Sequence, residues 1–188
     1  MKTLYKMMNP FLLVCGLILH SLSAQAVEVE IKIKGEIYIP PCKVNNNAAV
    51  DISFGNLSVR SVNGQASAIT KTLNVSCDYY SGKPYIVVES TDGVMSGVAE
   101  NNVLNTKGVN AGKLGIALYQ GNGVDPAALL KIGTGGEAGK YGYPITKGLS
   151  VNGGSGQFIF TAVPWKKSSD ELTSGNFTAS ATMSIIYL

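Results

Sequence analysis

The chain has 188 residues, the size of one domain or of two very small ones. Charged residues make up 14% of it and hydrophobic residues 45%, which excludes a charge-dominated disordered chain. The formal net charge of +3 provides no strong field that would favour nucleic acid.

The first 26 residues have the layout of a secretory signal peptide. Lys2 and Lys6 form a basic start, residues 11–19 are an apolar run, and residues 24–26 (Ala-Gln-Ala) form a small-residue cleavage signal. The apolar run is shorter than the roughly 20 residues that span a bilayer. We expect cleavage after Ala26; an uncleaved N-terminal anchor helix is the alternative.

Cleavage would remove the only histidine, His20, and one of the three cysteines, Cys15. A chain without histidine has no Ser-His-Asp triad and no His-ligated zinc. The two cysteines that remain, Cys42 and Cys77, predict one disulfide in an exported protein, with two unpaired buried thiols as the alternative.

The N-terminus of the exported chain alternates strictly between apolar and charged residues. Its apolar positions are Val27, Val29, Ile31 and Ile33, and Glu28, Glu30, Lys32 and Lys34 lie between them. This pattern predicts a β-strand with one apolar face within residues 27–39. The strand is either the ordinary first strand of a sandwich or one that pairs with another molecule.

Short alternating runs continue along the chain, separated by clusters of Gly, Asn, Asp and Ser. The clearest are residues 69–77, 84–90, 113–120 and 156–165. They predict an all-β sandwich or barrel. Residues 121–155 are rich in Gly and predict a long loop with at most a short strand near 127–132.

The last run, residues 177–188, has an apolar face that continues almost to the end of the chain. It predicts a strand at the edge of a sheet. Because no charged residue protects this edge from aggregation, we expect something to cover it.

The Gly-rich stretch 133–140 (GTGGEAGK) does not have the spacing of a phosphate-binding loop, since Thr134 stands where the first glycine should be. The exported chain also lacks histidine, has no recognisable nucleophile–base pair, and carries its aspartates singly rather than in a calcium loop. We expect no catalytic residue, no metal, no cofactor and no small-molecule substrate.

Several motifs together resemble those of pilus subunits of the chaperone–usher pathway of Gram-negative bacteria. Tyr187 is penultimate, Gly175 is fourteenth from the end, and Cys42 and Cys77 match the family's cysteines. Residues 38–42 (YIPPC) and 115–121 (GIALYQG) are most similar to segments of the minor tip adaptor subunits of P pili.

The resemblance implies an incomplete immunoglobulin-like sandwich that lacks its final strand. Residues 27–34 would be a donor strand and residues 35–188 the pilin domain. The acceptor groove and chaperone-binding strand would then comprise Gly175, Phe177, Ala179, Ala181, Met183, Ile185 and Tyr187. Many rod subunits carry a glycine within the donor strand, where this chain has Val29, which favours a minor subunit.

The implied partners are a periplasmic pilus chaperone, an outer-membrane usher and adjacent pilus subunits including a tip adhesin, with export through the periplasm to the cell-surface fimbrium. The alternative is a secreted carbohydrate-binding sandwich that uses Trp165, Tyr79, Tyr80, Tyr141 and Tyr143. Tip adhesins of the family need an additional lectin domain and lack a donor extension, so the structural subunit is the better interpretation.

Overall fold

The computed structural model describes residues 28–63, 65–136, 138–167 and 169–188. The predicted signal peptide and Val27 lie outside the described residues. The chain divides into two compact units, one ending at Ile37 and the other comprising Tyr38–Leu188. In the first unit, residues 28–37 belong to no strand or helix, so this part of the predicted N-terminal strand is unpaired.

The described residues of the second unit form strands and three single turns of 3-10 helix, Asn45–Asn47, Gln65–Ser67 and Gly139–Tyr141. The strands are β1 (Lys43–Val44), β2 (Ile69–Ser76), β3 (Pro84–Ser90), β4 (Val103–Asn105), β5 (Lys107–Gly108), β6 (Leu114–Gln120), β7 (Tyr143–Pro144), β8 (Ser155–Lys166), β9 (Phe177–Thr178) and β10 (Ala181–Tyr187). In the described residues no helix is both long and apolar enough to cross a membrane.

The strands form two antiparallel sheets and a short ribbon. One sheet has the order β1-β2-β8-β6-β4, the other has the order β10-β3-β7, and β5 pairs with β9. This arrangement confirms the prediction of an all-β sandwich.

The core is formed by the inward faces of the two sheets. In β2, Leu73 and Val75 are buried while Thr72 and Asn74 are exposed, because successive side chains of a strand point to opposite faces. The same cluster contains Leu118, Phe158, Phe160 and Ala162 from the larger sheet and Ile86, Val88, Ile185 and Tyr187 from the smaller one.

Cys42 connects the two sheets at one side of the sandwich. It forms the predicted disulfide with Cys77, at the end of β2, and its backbone N–H donates a 2.7 Å hydrogen bond to the carbonyl of Ile185 in β10. The next two residues form β1, which pairs with β2. The start of the domain is therefore attached to both sheets.

Two segments differ in detail from the sequence-based expectations. Residues 177–188 form two strands, because the chain leaves β5 after Thr178 and joins β3 at Ala181. Residues 128–132 are extended along the end of β6, where the N–H of Leu130 donates to the carbonyl of Leu118. Ala128, Leu130 and Ile132 are buried, so this part of the predicted loop contributes to the core.

The disulfide predicts the redox state of the exported protein. Thiol labelling before reduction should detect no free cysteine, and labelling after reduction should detect Cys42 and Cys77. Mass spectrometry of the unreduced protein should show a mass lower by two hydrogens. Free thiols in protein recovered from an oxidising compartment would contradict the prediction.

Candidate functional site

One side of the sandwich is open along a groove of about 830 Å³. Its floor is apolar and consists of core side chains from four strands of the larger sheet, namely Leu73, Leu104, Ile116, Leu118, Phe160 and Ala162. Residues 48–54 line one side of it and residues 177–184 the other. These floor residues belong to the core and are at most 6% exposed, so the groove lies directly over the core of the sandwich.

The first rim begins where β1 ends. Asn45, Asn46 and Asn47 all have positive φ, between 49° and 61°, a conformation that Asn adopts more readily than most residues. After this turn the chain runs extended, and no backbone hydrogen bond involves residues 49–54, all of which the structure describes. Every second side chain of this segment packs against the core, namely Val50, Ile52 and Phe54.

The second rim is the free edge of β10. The peptide groups of successive residues in a strand point to opposite sides of it. The carbonyl of Ile185 points away from β3 and accepts the hydrogen bond from Cys42, so the peptide groups of Thr182 and Ser184 face β3. The N–H and C=O groups of Ala181 and Met183 therefore also point away from β3. In the described chain β10 pairs with β3 alone, so these groups face the groove without a strand partner.

The two rims approach each other at both ends of the groove. At one end the Cys42–Ile185 hydrogen bond joins them. At the other end the rings of Phe54 and Phe177 lie with their centroids 6.2 Å apart. Between these contacts the backbone of β10 is unpaired on one side of the groove. On the other side, residues 49–54 make no backbone hydrogen bond.

The seven residues expected to form the acceptor strand lie in three different environments. Phe177, Ala179, Ala181 and Met183 line the groove. Ile185 and Tyr187 are fully buried in the closed part of the core. Gly175 is exposed and lies outside the groove, beside Val109; a Cβ at position 175 would be 2.5 Å from a methyl group of that valine.

Sequence reasoning did not find the opposite rim. Val50, Ile52 and Phe54 alternate with Asp51 and Ser53, a period of two that is visible in the sequence. The segment was not among the predicted strands, and in the structure it lacks the strand pairing that defines one.

The N-terminal extension carries apolar side chains that have no cover. Ile31 and Ile33 are 80% and 91% exposed, and Val29 is also exposed. Between them, the side chains of Glu30 and Lys32 form a 3.2 Å ion pair. Val27 lies outside the described residues.

The residues that line the groove make it a binding surface for the apolar side chains of a polypeptide segment. Asp51 is the one ionisable side chain among the described residues that line it. In the described residues, no cluster of three or more His, Cys, Asp or Glu side chains is arranged to hold a metal ion. Such a groove can bury apolar side chains and pair with a strand.

Comparison with known proteins agrees with this geometry. Residues 31–188 match the family model described as Fimbrial protein. The chain belongs to this family. It is 40% identical to the fimbrial adapter PapF and 39% identical to the minor fimbrial protein PrsF, both of Escherichia coli, over 172 residues that cover 92% of this chain and 95% of each relative.

A solved structure of the P pilus adaptor subunit PapF superimposes on the chain with a TM-score of 0.51 and 33% sequence identity. The match covers 81% of this chain and all of that one. The family resemblance inferred from the motifs and the immunoglobulin-like pilin fold are therefore confirmed. The chain is a fimbrial subunit, and the carbohydrate-binding alternative is not favoured.

The environment of Tyr187 generates a prediction about its titration. Its hydroxyl donates a 3.1 Å hydrogen bond to the carbonyl of Ser150, and burial raises the pKa of Tyr187 above its usual value near 10. The neutral form is favoured in the folded state. This contribution to stability is complete below the unfolded pKa and is lost as the pH rises through the folded one.

We expect the Tyr187→Phe variant to lose the hydrogen bond, which lowers the free energy of unfolding by about 0.5–1.5 kcal/mol. The tyrosinate absorbance of the folded wild type and of the folded variant is titrated with pH, and the second curve is subtracted from the first. The difference curve reports Tyr187, and its midpoint should lie above about 10. A midpoint at or below that value would contradict the assignment.

Proposed function

We propose that the chain is an adaptor-type minor subunit of an adhesive pilus that assembles by exchange of β-strands. The groove receives a strand from a partner, and residues 27–34 are the strand that this chain supplies to the groove of a neighbour. The observation that carries the proposal is that one chain combines an open groove with an extension of the complementary chemistry.

The backbone of β10 supports strand insertion. Polar groups of the main chain that are buried without a partner cost about 1–3 kcal/mol each. An inserted strand would pair with the N–H and C=O groups of Ala181 and Met183 and would cover the floor of the groove. A sheet edge of this kind is open to aggregation unless it is occupied.

The spacing of the apolar residues supports the match between the two ends of the chain. The four groove positions from Phe177 to Met183 recur every two residues across β9 and β10. The four apolar positions from Val27 to Ile33 have the same number and spacing. Burying each Val or Ile contributes about 1.5–3 kcal/mol before ordering costs.

The assembly partners follow from this exchange. A periplasmic chaperone would occupy the groove first, an outer-membrane usher would receive the complex, and adjacent subunits, including a tip adhesin, would be the final partners at the cell-surface fimbrium. The names of PapF and PrsF as adapter and minor fimbrial protein support the position in the pilus. A purely structural role without catalysis agrees with a groove that has one ionisable lining residue.

The first test supplies the missing strand within one chain. Residues 27–188 alone should aggregate when expressed without a chaperone, because the groove stays open. Adding a flexible linker and a second copy of residues 27–34 after Leu188 should give a soluble monomer with a cooperative unfolding transition, measured by size-exclusion chromatography and urea denaturation.

The matched control carries the same linker and copy with Ser at the four apolar positions. It should remain aggregated, since it keeps the length and the charges but loses the side chains that fill the groove. A stable monomer formed by the control, or by the chain without any addition, would refute the incomplete fold.

The second test separates the two ends of the chain. Deleting residues 27–34, or introducing Ile31→Asp, should leave chaperone co-purification unchanged and abolish incorporation into pili. Met183→Asp should abolish chaperone co-purification, because a carboxylate would enter the apolar groove at a cost of several kcal/mol. Thr72→Asp, on the exposed face of β2 and outside the groove, is its control and should retain the chaperone.

Both outcomes can be read from the amounts of chaperone-bound and pilus-bound protein on immunoblots. If the N-terminal changes reduced chaperone binding as strongly as Met183→Asp, residues 27–34 would be an ordinary core strand and the assignment would be wrong.

A further inference from the structure

Exposed aromatic side chains of the domain are concentrated around the point where the N-terminal extension leaves it. Among the described residues of Tyr38–Leu188, the strongly exposed aromatic residues are Tyr38, Tyr79 and Tyr80. Tyr79 and Tyr80 line a shallow pocket of about 360 Å³ together with Asp78, Ser81 and Asn152. Val151, which precedes Asn152, is exposed as well.

The disulfide places the pocket lined by Tyr79 and Tyr80, here called the tyrosine pocket, close to the point where the N-terminal extension leaves the domain. The Cα atoms of Cys42 and Cys77 are 4.2 Å apart. Tyr79 follows Cys77 by two residues, and consecutive Cα atoms are about 3.8 Å apart, so its Cα lies within about 12 Å of that of Cys42. Tyr38 lies four residues before Cys42 in the chain.

The loop that carries the pocket is held in place by hydrogen bonds. Gly82 and Asn152 are joined by two of them: the Gly82 N–H donates to the Asn152 side-chain oxygen at 2.7 Å, and the Asn152 N–H donates to the Gly82 carbonyl at 2.9 Å. The Tyr80 ring lies against Gly154, where a Cβ would be 3.0 Å from the ring. Tyrosines held in this way lose little conformational entropy when they bind.

We propose that this tyrosine pocket is a docking surface for the pilus subunit whose groove holds residues 27–34 of this chain. The inference rests on the proposed function. Residues 35–42 connect the inserted strand to the domain and, fully extended, reach at most about 29 Å. The groove of the receiving subunit must therefore lie within about 29 Å of Cys42, a range that includes the pocket.

The chemistry of the pocket fits a protein partner. Tyrosine is enriched in protein interfaces because it combines a large apolar ring with a hydroxyl that hydrogen-bonds at the rim. The pocket would add a second contact to the inserted strand and set the angle between neighbouring subunits. Strand insertion alone would leave that angle to the linking residues 35–41.

Photo-crosslinking in assembled pili tests the proposal. The full chain is expressed with the chaperone, usher and companion subunits of its own pilus, and Tyr79 or Tyr80 is replaced, one at a time, by benzoylphenylalanine. The control carries the same label in place of Thr72, which is exposed on the outer face of β2. Purified pili are irradiated, and crosslinked products are identified by mass spectrometry.

We expect the label at position 79 or 80 to capture the subunit that holds residues 27–34, and the label at position 72 to give no such product. Pili that contain the labelled chain but show no crosslink from either position would overturn the docking surface and leave the proposed function intact. Capture only of the subunit whose strand fills this chain's own groove would overturn it as well. Absence of the chain from purified pili would refute the proposed function, and the docking surface with it.

Discussion

The structure depends on one unpaired edge, the side of β10 that faces away from β3. The peptide groups of Ala181 and Met183 on this edge have no strand partner in the described chain, and the groove beside them lies directly over the core. Closing the edge within the domain would need one more strand between β10 and residues 48–54. Among the described residues no strand lies there.

The other end of the chain shows the opposite imbalance. Residues 28–37 have exposed apolar side chains and a backbone that pairs with no strand. The groove, in contrast, can bury apolar side chains and pair with a strand. In the proposed strand exchange, the same hydrogen bonds and the same apolar contacts would satisfy the two surfaces at once. This physical complementarity would explain why a sandwich with an open side can be a stable part of a fibre.

Short apolar runs between turn residues allowed much of the fold to be predicted from sequence. The runs that became β2, β3, β6 and β8 were found because clusters of Gly, Asn, Asp and Ser separate them, although only β2 alternates in burial along its whole length. The rim at residues 48–54 was missed although Asn45–Asn47 and Gly55 mark turns on both sides of it, because its alternating part is only five residues long. The division of residues 177–188 into β9 and β10 depends on which strands lie beside it, and no local pattern encodes such a change of partner. For residues 128–132 the sequence predicted at most a short strand within a loop, and the Gly-rich sequence around them conceals their burial.

The position of the Cys42–Cys77 disulfide has a mechanical consequence. Tension applied through residues 27–34 would enter the domain at Cys42, where β1 is only two residues long and pairs weakly with β2. The covalent bond diverts this load past β1 to the end of β2. From there it passes to the eight residue pairs between β2 and β8, which would have to slide past each other together. In a fibre of such subunits, the pairing of β2 with β8 in the larger sheet would carry the pulling force. The short strand β1 would not be peeled away from β2.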